Sequence, residues 1–361
     1  MIVGFLPEKE DPNELRSLVL PEHINNFIKN GFKVFLPNDY SKNIGIDNQD
    51  YLNVGAEIKK DDEIAKVSDI IFKLSGKNLS QYSFKSKSVL TIAFFENQDQ
   101  QLLNKLKESN INLFALNLLP RITRAQAMDV LSSQSNLAGY KAVIDTAYEF
   151  DKALPMMMTA AGTITPAKYF VVGAGVAGLQ AIATAKRLGA VVSATDVRAA
   201  SKEQVESLGA KFVFVESEEQ LETEGGYAKE ATEDYKKKQE ELIKATVKNQ
   251  DVIITTALIP GKRAPLIINE DMVKSMKPGS VICDLATSQG GNVAFSEKDK
   301  VVTINGVKII GYANYASRTP YSASGLLAKN IINFTALLFD KDTKSIRVDF
   351  NDEIIKGVQI I

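Results

Sequence analysis

Histidine and cysteine are each reduced to a single residue in this 361-residue chain, and neither sign of charge is in excess. The lone cysteine, Cys283, permits no internal disulfide, so a reducing, cytoplasm-like compartment is expected. Its apolar run, Ser280-Val-Ile-Cys-Asp-Leu, reads as a buried small residue and not as a reactive thiol. The lone histidine, His23, falls in the first predicted helix and reads as structural. Nothing clusters with metal-ligand spacing, so no metal is expected. With 43 basic and 44 acidic residues the formal charge is −1, which gives no footprint for nucleic acid or an anionic membrane. No apolar stretch reaches the roughly 18 residues that a membrane helix needs. The best candidate, Gly325 to Phe339, is interrupted by Lys329 and Asn330. The start, Met1-Ile-Val-Gly-Phe-Leu-Pro, has no basic segment before its apolar run and reads as a strand, not a signal peptide. Repeats and low-complexity tracts are lacking too, and the chain is expected to be soluble.

What is present is the composition of an ordinary globular protein, 45% hydrophobic and 24% charged, at a length that suggests two domains. Short apolar runs alternate with amphipathic stretches, the pattern of parallel sheets wound with helices. Strands are predicted at 1–6, 32–36, 70–74, 89–95 and 111–119, with a helix over Pro21 to Asn30 between the first two. Pro21 at its start and Gly31 just past its end suit the two termini. A long helix is predicted from Asp129 to Glu149, although its serines and Gly139 weaken the first turns. A second set of strands follows Phe170 at 191–195, 211–215, 252–256, 281–284 and 307–312, then a helix over Ser322 to Leu338 and a tail with a short strand or hairpin. The expected fold is α/β: two doubly wound parallel-sheet, Rossmann-like domains with a cleft between them. The first would cover 1–134, completed by 315–361, and the second 135–314.

Phe170-Val-Val-Gly-Ala-Gly-Val-Ala-Gly178 is a dinucleotide fingerprint in context, with a strand before it, a helix after it, a second strand, and Asp196 placed 18 residues past the last glycine. Gly173 permits the tight turn, Gly175 lets a pyrophosphate approach the backbone, and Gly178 lets the helix pack close to the sheet. The pyrophosphate rests on the helix N-terminus beside Val176, where unpaired N–H groups favour negative charge. Asp196 can accept hydrogen bonds from a ribose diol and would repel a 2′-phosphate, so the site reads as NAD(H) and not NADP(H). Arg198, two residues on, is the one group that could instead accommodate a phosphate. Between the third and fourth strands of this domain lies a polar segment, Glu216 to Glu240, with Gly225-Gly226-Tyr227 inside it. It reads as a loop with a helix from about Glu230, and either a lid or a disordered insertion fits the loop.

A second polar constellation precedes the long helix. Arg121, Gln126, Asp129 and Ser132 put a cation, an amide, a carboxylate and a hydroxyl within twelve residues, enough to fix a carboxamide and a ribose in one pose. The same residues fit a plain helix start, with Thr123 as cap and Gln126 in a capping box. Taken alone, the segment does not choose between them.

Four segments, Arg121-Ile-Thr-Arg-Ala-Gln-Ala-Met-Asp-Val-Leu-Ser-Ser, Gly225-Gly-Tyr-Ala-Lys-Glu, Thr255-Thr-Ala-Leu-Ile-Pro-Gly-Lys and Asp284-Leu-Ala-Thr-Ser-Gln-Gly-Gly-Asn, together resemble the NAD(H)-binding component of proton-translocating nicotinamide nucleotide transhydrogenase. That component, domain I or the alpha subunit, shares its fold with alanine dehydrogenase, and the resemblance runs from Met1 to about Leu338. It implies that Arg121, Gln126, Asp129 and Ser132 face the nicotinamide, with Tyr227 and Gly226 on a mobile loop (about 220–236) that folds onto the nucleotide. It also implies that Gly173, Gly175, Val176, Gly178, Asp196, Val197 and Arg198 hold the rest of the coenzyme, with Gln239 and Leu258 nearby.

Alanine dehydrogenases in this family bind pyruvate through an arginine and a lysine, which Arg16 and Lys73 resemble, and use a histidine and an aspartate in catalysis. Both of the latter are missing: Ala93-Phe-Phe-Glu-Asn stands where the histidine should be, and Ser288 precedes Gln289. Reducing a ketone or imine needs a proton donor, whereas hydride exchange between two nicotinamides needs none. The resemblance therefore implies an NAD(H)-binding transhydrogenase subunit, inactive alone. Its partners would be an NADP(H)-binding component and a membrane proton-channel component on separate chains, and it would be a homodimer, cytoplasmic and peripheral to the cell membrane. The alternatives are an alanine dehydrogenase-like amino-acid dehydrogenase and a non-catalytic NAD sensor.

Overall fold

A computed structural model describes residues 1–9, 11–96, 99–215, 232–259, 261–340 and 342–361. The chain divides into two compact units, Met1–Gln134 with Ser317–Ile361, and Ser135–Ala316. In the first, β1 (Ile2–Phe5), β2 (Lys33–Pro37), β3 (Glu57–Lys59), β4 (Ile70–Ser75), β5 (Val89–Phe94) and β6 (Asn112–Ala115) form one sheet in the order β3-β2-β1-β4-β5-β6. Every pairing in it is parallel. Because helices cover both faces, its strands read as continuous apolar runs. Along β4, Ile70 and Phe72 join the core that holds Ile24, Phe27 and Phe334, while Ile71 joins the opposite core with Ile64, Leu102 and Leu106. That alternation is the two-residue period of a strand. The helix Pro21–Lys29 has its proline in the first turn, as expected. The predicted strand 111–119 stops at Ala115, where the chain tightens into a 3₁₀ turn over Leu116–Leu118.

The second unit opens with a hairpin, β7 (Met157–Thr159) and β8 (Gly162–Ile164), that periodicity did not suggest. Its sheet then comprises β9 (Lys168–Val172), β10 (Val191–Thr195), β11 (Lys211–Phe212), β12 (Val252–Thr255), β13 (Val281–Asp284), β14 (Val301–Ile304) and β15 (Val307–Ile310), in the order β11-β10-β9-β12-β13-β15-β14. Only β14 is antiparallel to its neighbour. The chain leaves β9 in one direction to β10 and β11 and returns on its other side at β12. This reversal opens a crevice at the carboxyl ends of the strands, where open α/β sheets take their ligands.

The long helix is intact over Val130–Glu149, serines and glycine included. Asp129 caps it, its Oδ1 accepting the Ser132 N–H at 2.9 Å. Gly139 is there for packing, since a Cβ on it would lie 2.0 Å from the Ala177 carbonyl oxygen. The later helix starts at Glu233, not near Glu230, where the Thr232 hydroxyl accepts the Tyr235 N–H. The returning segment adds the helix Pro320–Thr335, an antiparallel pair of β16 (Phe339–Asp340) and β17 (Ser345–Ile346), and the helix Glu353–Val358. Its end lies along β6, with Ile360 N–H donating to Leu113 O at 2.8 Å and Leu113 N–H to Ile361 O at 3.0 Å.

Candidate functional site

Gly173 follows β9 with φ of +98°, a conformation that suits glycine, and a Cβ there would strike the Thr256 hydroxyl at 2.4 Å. A Cβ on Gly178 would lie 1.8 Å from the Gly173 carbonyl oxygen. Both glycines are thus demanded by the protein's own packing. Gly175 differs: its φ is −76°, and an added Cβ would meet no protein atom within 4 Å. It caps the helix Val176–Arg187 with no side chain over the first-turn N–H groups, so the backbone lies open where an anion favours it.

Asp196 follows β10 and closes the adjacent side of this turn. Its Oδ2 accepts the Ala174 N–H at 2.7 Å, tying the acid to the glycine loop. The same carboxylate binds Arg198 through the backbone N–H (2.9 Å), Nε (2.9 Å) and Nη2 (2.9 Å). Arg198 is therefore drawn onto Asp196, which matches its charge at close range. Val197 between them is half-buried.

A second frame lies under the turn, built from the ends of β12 and β13. The Thr256 hydroxyl donates to Val172 O at 3.2 Å or Gly173 O at 3.1 Å. Asn292 is buried, accepts the Ala257 N–H at 3.1 Å, and donates to Ala257 O (2.9 Å) and Pro265 O (2.8 Å). The buried Asp284 accepts the N–H groups of Ala286 (2.9 Å), Asn292 (2.9 Å) and Val293 (3.2 Å). Both side chains are saturated with partners, so they hold backbone and not ligand. Leu258, next along the chain, is left 45% exposed. Thr256, Asp284 and Asn292 are the residues whose task sequence reasoning missed. The only signal for them was polar residues just beyond two apolar strands.

In the first unit, Arg121 and Gln126 are exposed on a turn and a 3₁₀ helix over Thr123–Met128. Asp129 and Ser132 are half-buried, with Ser132 Oγ donating to Asp129 Oδ2 at 2.5 Å. Thr123 makes no cap, so the capping-box alternative is overturned. Asp129 caps the following helix from a position six residues later. Its carboxylate thereby acquires a fixed direction, as a residue that orients a ligand requires.

The two cations that resemble a pyruvate pair are matched by the chain's own acids. Lys73 is fully buried, and its Nζ lies 2.6 Å from Glu8, which also accepts Ser75 N–H (2.8 Å) and Oγ (2.8 Å). Arg16 grips Glu14 through Nε (2.8 Å) and Nη2 (2.7 Å), donates to Gln134 at 3.0 Å and lies over the Phe94 ring. Glu8, Glu14, Arg16 and Tyr40 line a cavity of about 420 Å³ in this unit. Gln239 is half-buried on the helix Glu233–Val247, and Gly226 and Tyr227 lie outside the described residues. Among the described residues, no group of three or more His, Cys, Asp or Glu side chains is arranged to hold a metal ion. His23 is buried in its helix, and Cys283 is buried with Sγ donating to Tyr315 Oη at 3.0 Å.

Two parallel sheets, each wound on both sides, with a glycine turn and an acid at the switch point of the second, define a dinucleotide-fold protein of two Rossmann-like units. Family models sharpen that class: residues 4–138 match the alanine dehydrogenase/PNT N-terminal domain and 142–361 the C-terminal domain. The chain belongs to the alanine dehydrogenase/PNT family, on its transhydrogenase side. It is 47% identical to the first of the chains that make up NAD(P) transhydrogenase subunit alpha in Rhodospirillum rubrum, over 98% of this chain and 94% of that one. The crystal structure of transhydrogenase from Sinorhizobium meliloti superposes with a TM-score of 0.86 at 44% identity, covering 99% and 98% of the two chains. An L-alanine dehydrogenase shares the fold at a TM-score of 0.80 and 20% identity, over 100% of this chain and 95% of that one.

Proposed function

We propose that this chain is the NAD(H)-binding subunit of a proton-translocating NAD(P) transhydrogenase. The observation that carries the coenzyme assignment is Gly175. Its missing side chain is not required by any protein neighbour, and it leaves the start of a twelve-residue helix bare beside Asp196. That cradle fits a pyrophosphate, and a Cβ would project into it. Gly173, Gly175, Val176 and Gly178 would hold the diphosphate, and Asp196, Val197 and Arg198 the adenosine ribose. Because Arg198 is engaged by Asp196, it offers no ready partner to a 2′-phosphate, which supports NAD(H) over NADP(H). Leu258 and Gln239 complete the second unit's contribution.

Arg121, Gln126, Asp129 and Ser132 would orient the nicotinamide half. When bound, NADH supplies a hydride that passes directly to NADP⁺ held by a different component. No protein acid, base or nucleophile takes part, so the task of these side chains is alignment and the exclusion of water. The amino-acid dehydrogenase reading is disfavoured by Lys73 and Arg16, whose charges Glu8 and Glu14 already match, and by the lack of a histidine near them.

The NADP(H)-binding and proton-conducting components would be separate chains. Among the described residues no helix is long and apolar enough to cross a membrane, which fits a peripheral subunit on its cytoplasmic face. A homodimer is supported by the β7–β8 hairpin, which exposes Met156, Met157, Met158 and Ile164. The test is reconstitution with an NADP(H)-binding partner: reduction of an NAD analogue by NADPH is expected from the mixture and not from either component alone. Turnover of NADH with pyruvate and ammonia by the chain alone would reject the proposal.

A further inference from the structure

The loop that carries Arg121, Gln126 and Asp129 lacks the means to hold its own shape. Its 3₁₀ helix Thr123–Met128 has no side-chain cap, and neither Arg121 nor Gln126 is buried. Short 3₁₀ segments have poorer hydrogen-bond geometry than α-helices, so such a loop takes its conformation from what it leans on. Here it leans on the far end of the chain. Arg124 forms a two-pronged pair with Asp352, Nη1 to Oδ2 and Nη2 to Oδ1, both at 2.7 Å, across 228 residues of sequence. Asp352 also caps the helix Glu353–Val358 by accepting the Ile354 N–H at 2.8 Å. The same helix reaches the start of the loop, where a Cβ on Gly357 would lie 2.8 Å from Pro120 Cδ. Asn330 and Asn333 hold the middle, each donating to Ala127 O, at 3.0 and 3.1 Å.

The Arg124 side chain is 54% exposed, and exposed pairs contribute little to stability. A two-pronged geometry between a functional loop and a capped helix instead fixes direction. We propose that the helix Glu353–Val358 is a strut for the nicotinamide-facing loop, with Asp352 and Arg124 as positioning residues for hydride transfer. The strut grips the loop at two points, Pro120 and Arg124, so Arg121 between them is held from both sides. This rests on the transhydrogenase reading above.

The test compares Arg124→Ala, Asp352→Asn and the double variant in the whole chain, mixed with the NADP(H)-binding partner. Asparagine keeps an acceptor for the helix cap, so Asp352→Asn removes the charge pair and little else. Each single variant is expected to transfer hydride about 3- to 10-fold more slowly at saturating NADH, with NADH affinity changed by no more than about twofold. The double variant should be no slower than the slower single, because one interaction is lost in all three. Gly357→Ala, which pushes Pro120 from the same helix, should give the same division between rate and affinity. Full rates in both single variants, losses that multiply in the double, or rates that follow only the melting temperature would each overturn the strut. If the wild-type chain itself transfers no hydride with a competent partner, it is the transhydrogenase reading that fails.

Discussion

Three glycines share one motif, yet the structure gives them different duties, and substitution separates them. Gly178→Ala drives a methyl into the Gly173 carbonyl and should cost at least about 1–3 kcal/mol, read as a lowered melting temperature without ligand. Gly175→Ala meets no protein atom, so its stability should stay within about 1 kcal/mol while NADH affinity falls about tenfold or more. Equal loss of stability in both would mean that the open backbone at Gly175 is not a ligand cradle. Asp196→Asn tests the coenzyme choice. It releases the Arg198 guanidinium from its carboxylate, so NADPH binding should strengthen and NADH binding weaken, each by about 5- to 30-fold, as parallel titrations would show. His23 has a buried Nδ1 without a partner. Burial pushes its pKa below the ordinary 6.5, with Glu22 opposing and Lys329 reinforcing the shift. The unfolded chain therefore takes up the proton first as pH falls, and stability should decline from about pH 6.5 downwards before levelling off below the folded pKa. In His23→Gln that segment of the stability–pH curve should be flat.

At the scale of elements, the central strands were legible and the edges were not. β4, β5, β12 and β13 are buried on both faces, so each appears as an unbroken apolar run bounded by polar residues. β3 is only half-buried and three residues long, and it left no such trace. The hairpin of β14 and β15 did carry a signal, Asn305-Gly306, with φ of +50° and +78° as a tight two-residue turn requires. It was overlooked because β14 alternates exposed and half-buried residues and has no apolar run. Gly306 is doubly constrained, since a Cβ would also lie 2.9 Å from Pro278 Cβ. Gly306→Ala should therefore destabilise the second unit by about 1–3 kcal/mol in denaturant titrations, without altering NADH binding to the folded protein. The long helix teaches the converse. Serines and Gly139 looked like weak points by propensity, but a cap from Asp129 and close approach to Ala177 outweigh a propensity cost of about 1 kcal/mol.

For the whole molecule, the exposed hairpin gives the clearest prediction. Met158 is 79% exposed at the end of β7 among other apolar residues. Met158→Glu should shift the chain from dimer towards monomer in sedimentation, while the isolated subunit still binds NADH. An unchanged sedimentation coefficient would place the twofold contact elsewhere.

The sequence by itself determined the α/β class, the glycine turn with its spaced acid, and the lack of an acid/base pair for amino-acid chemistry. These are local matters: a strand's burial, a turn's tolerance of φ and the presence of a residue type are all written in adjacent positions. Only the tertiary structure decided that Gly175 faces open space while Gly178 faces a carbonyl, that Arg198 is held by Asp196, that Glu8 and Glu14 match Lys73 and Arg16, and that the chain's last helix braces a loop more than two hundred residues earlier. Each of these depends on which atoms meet after the chain has closed on itself, and residue spacing carries no record of such meetings.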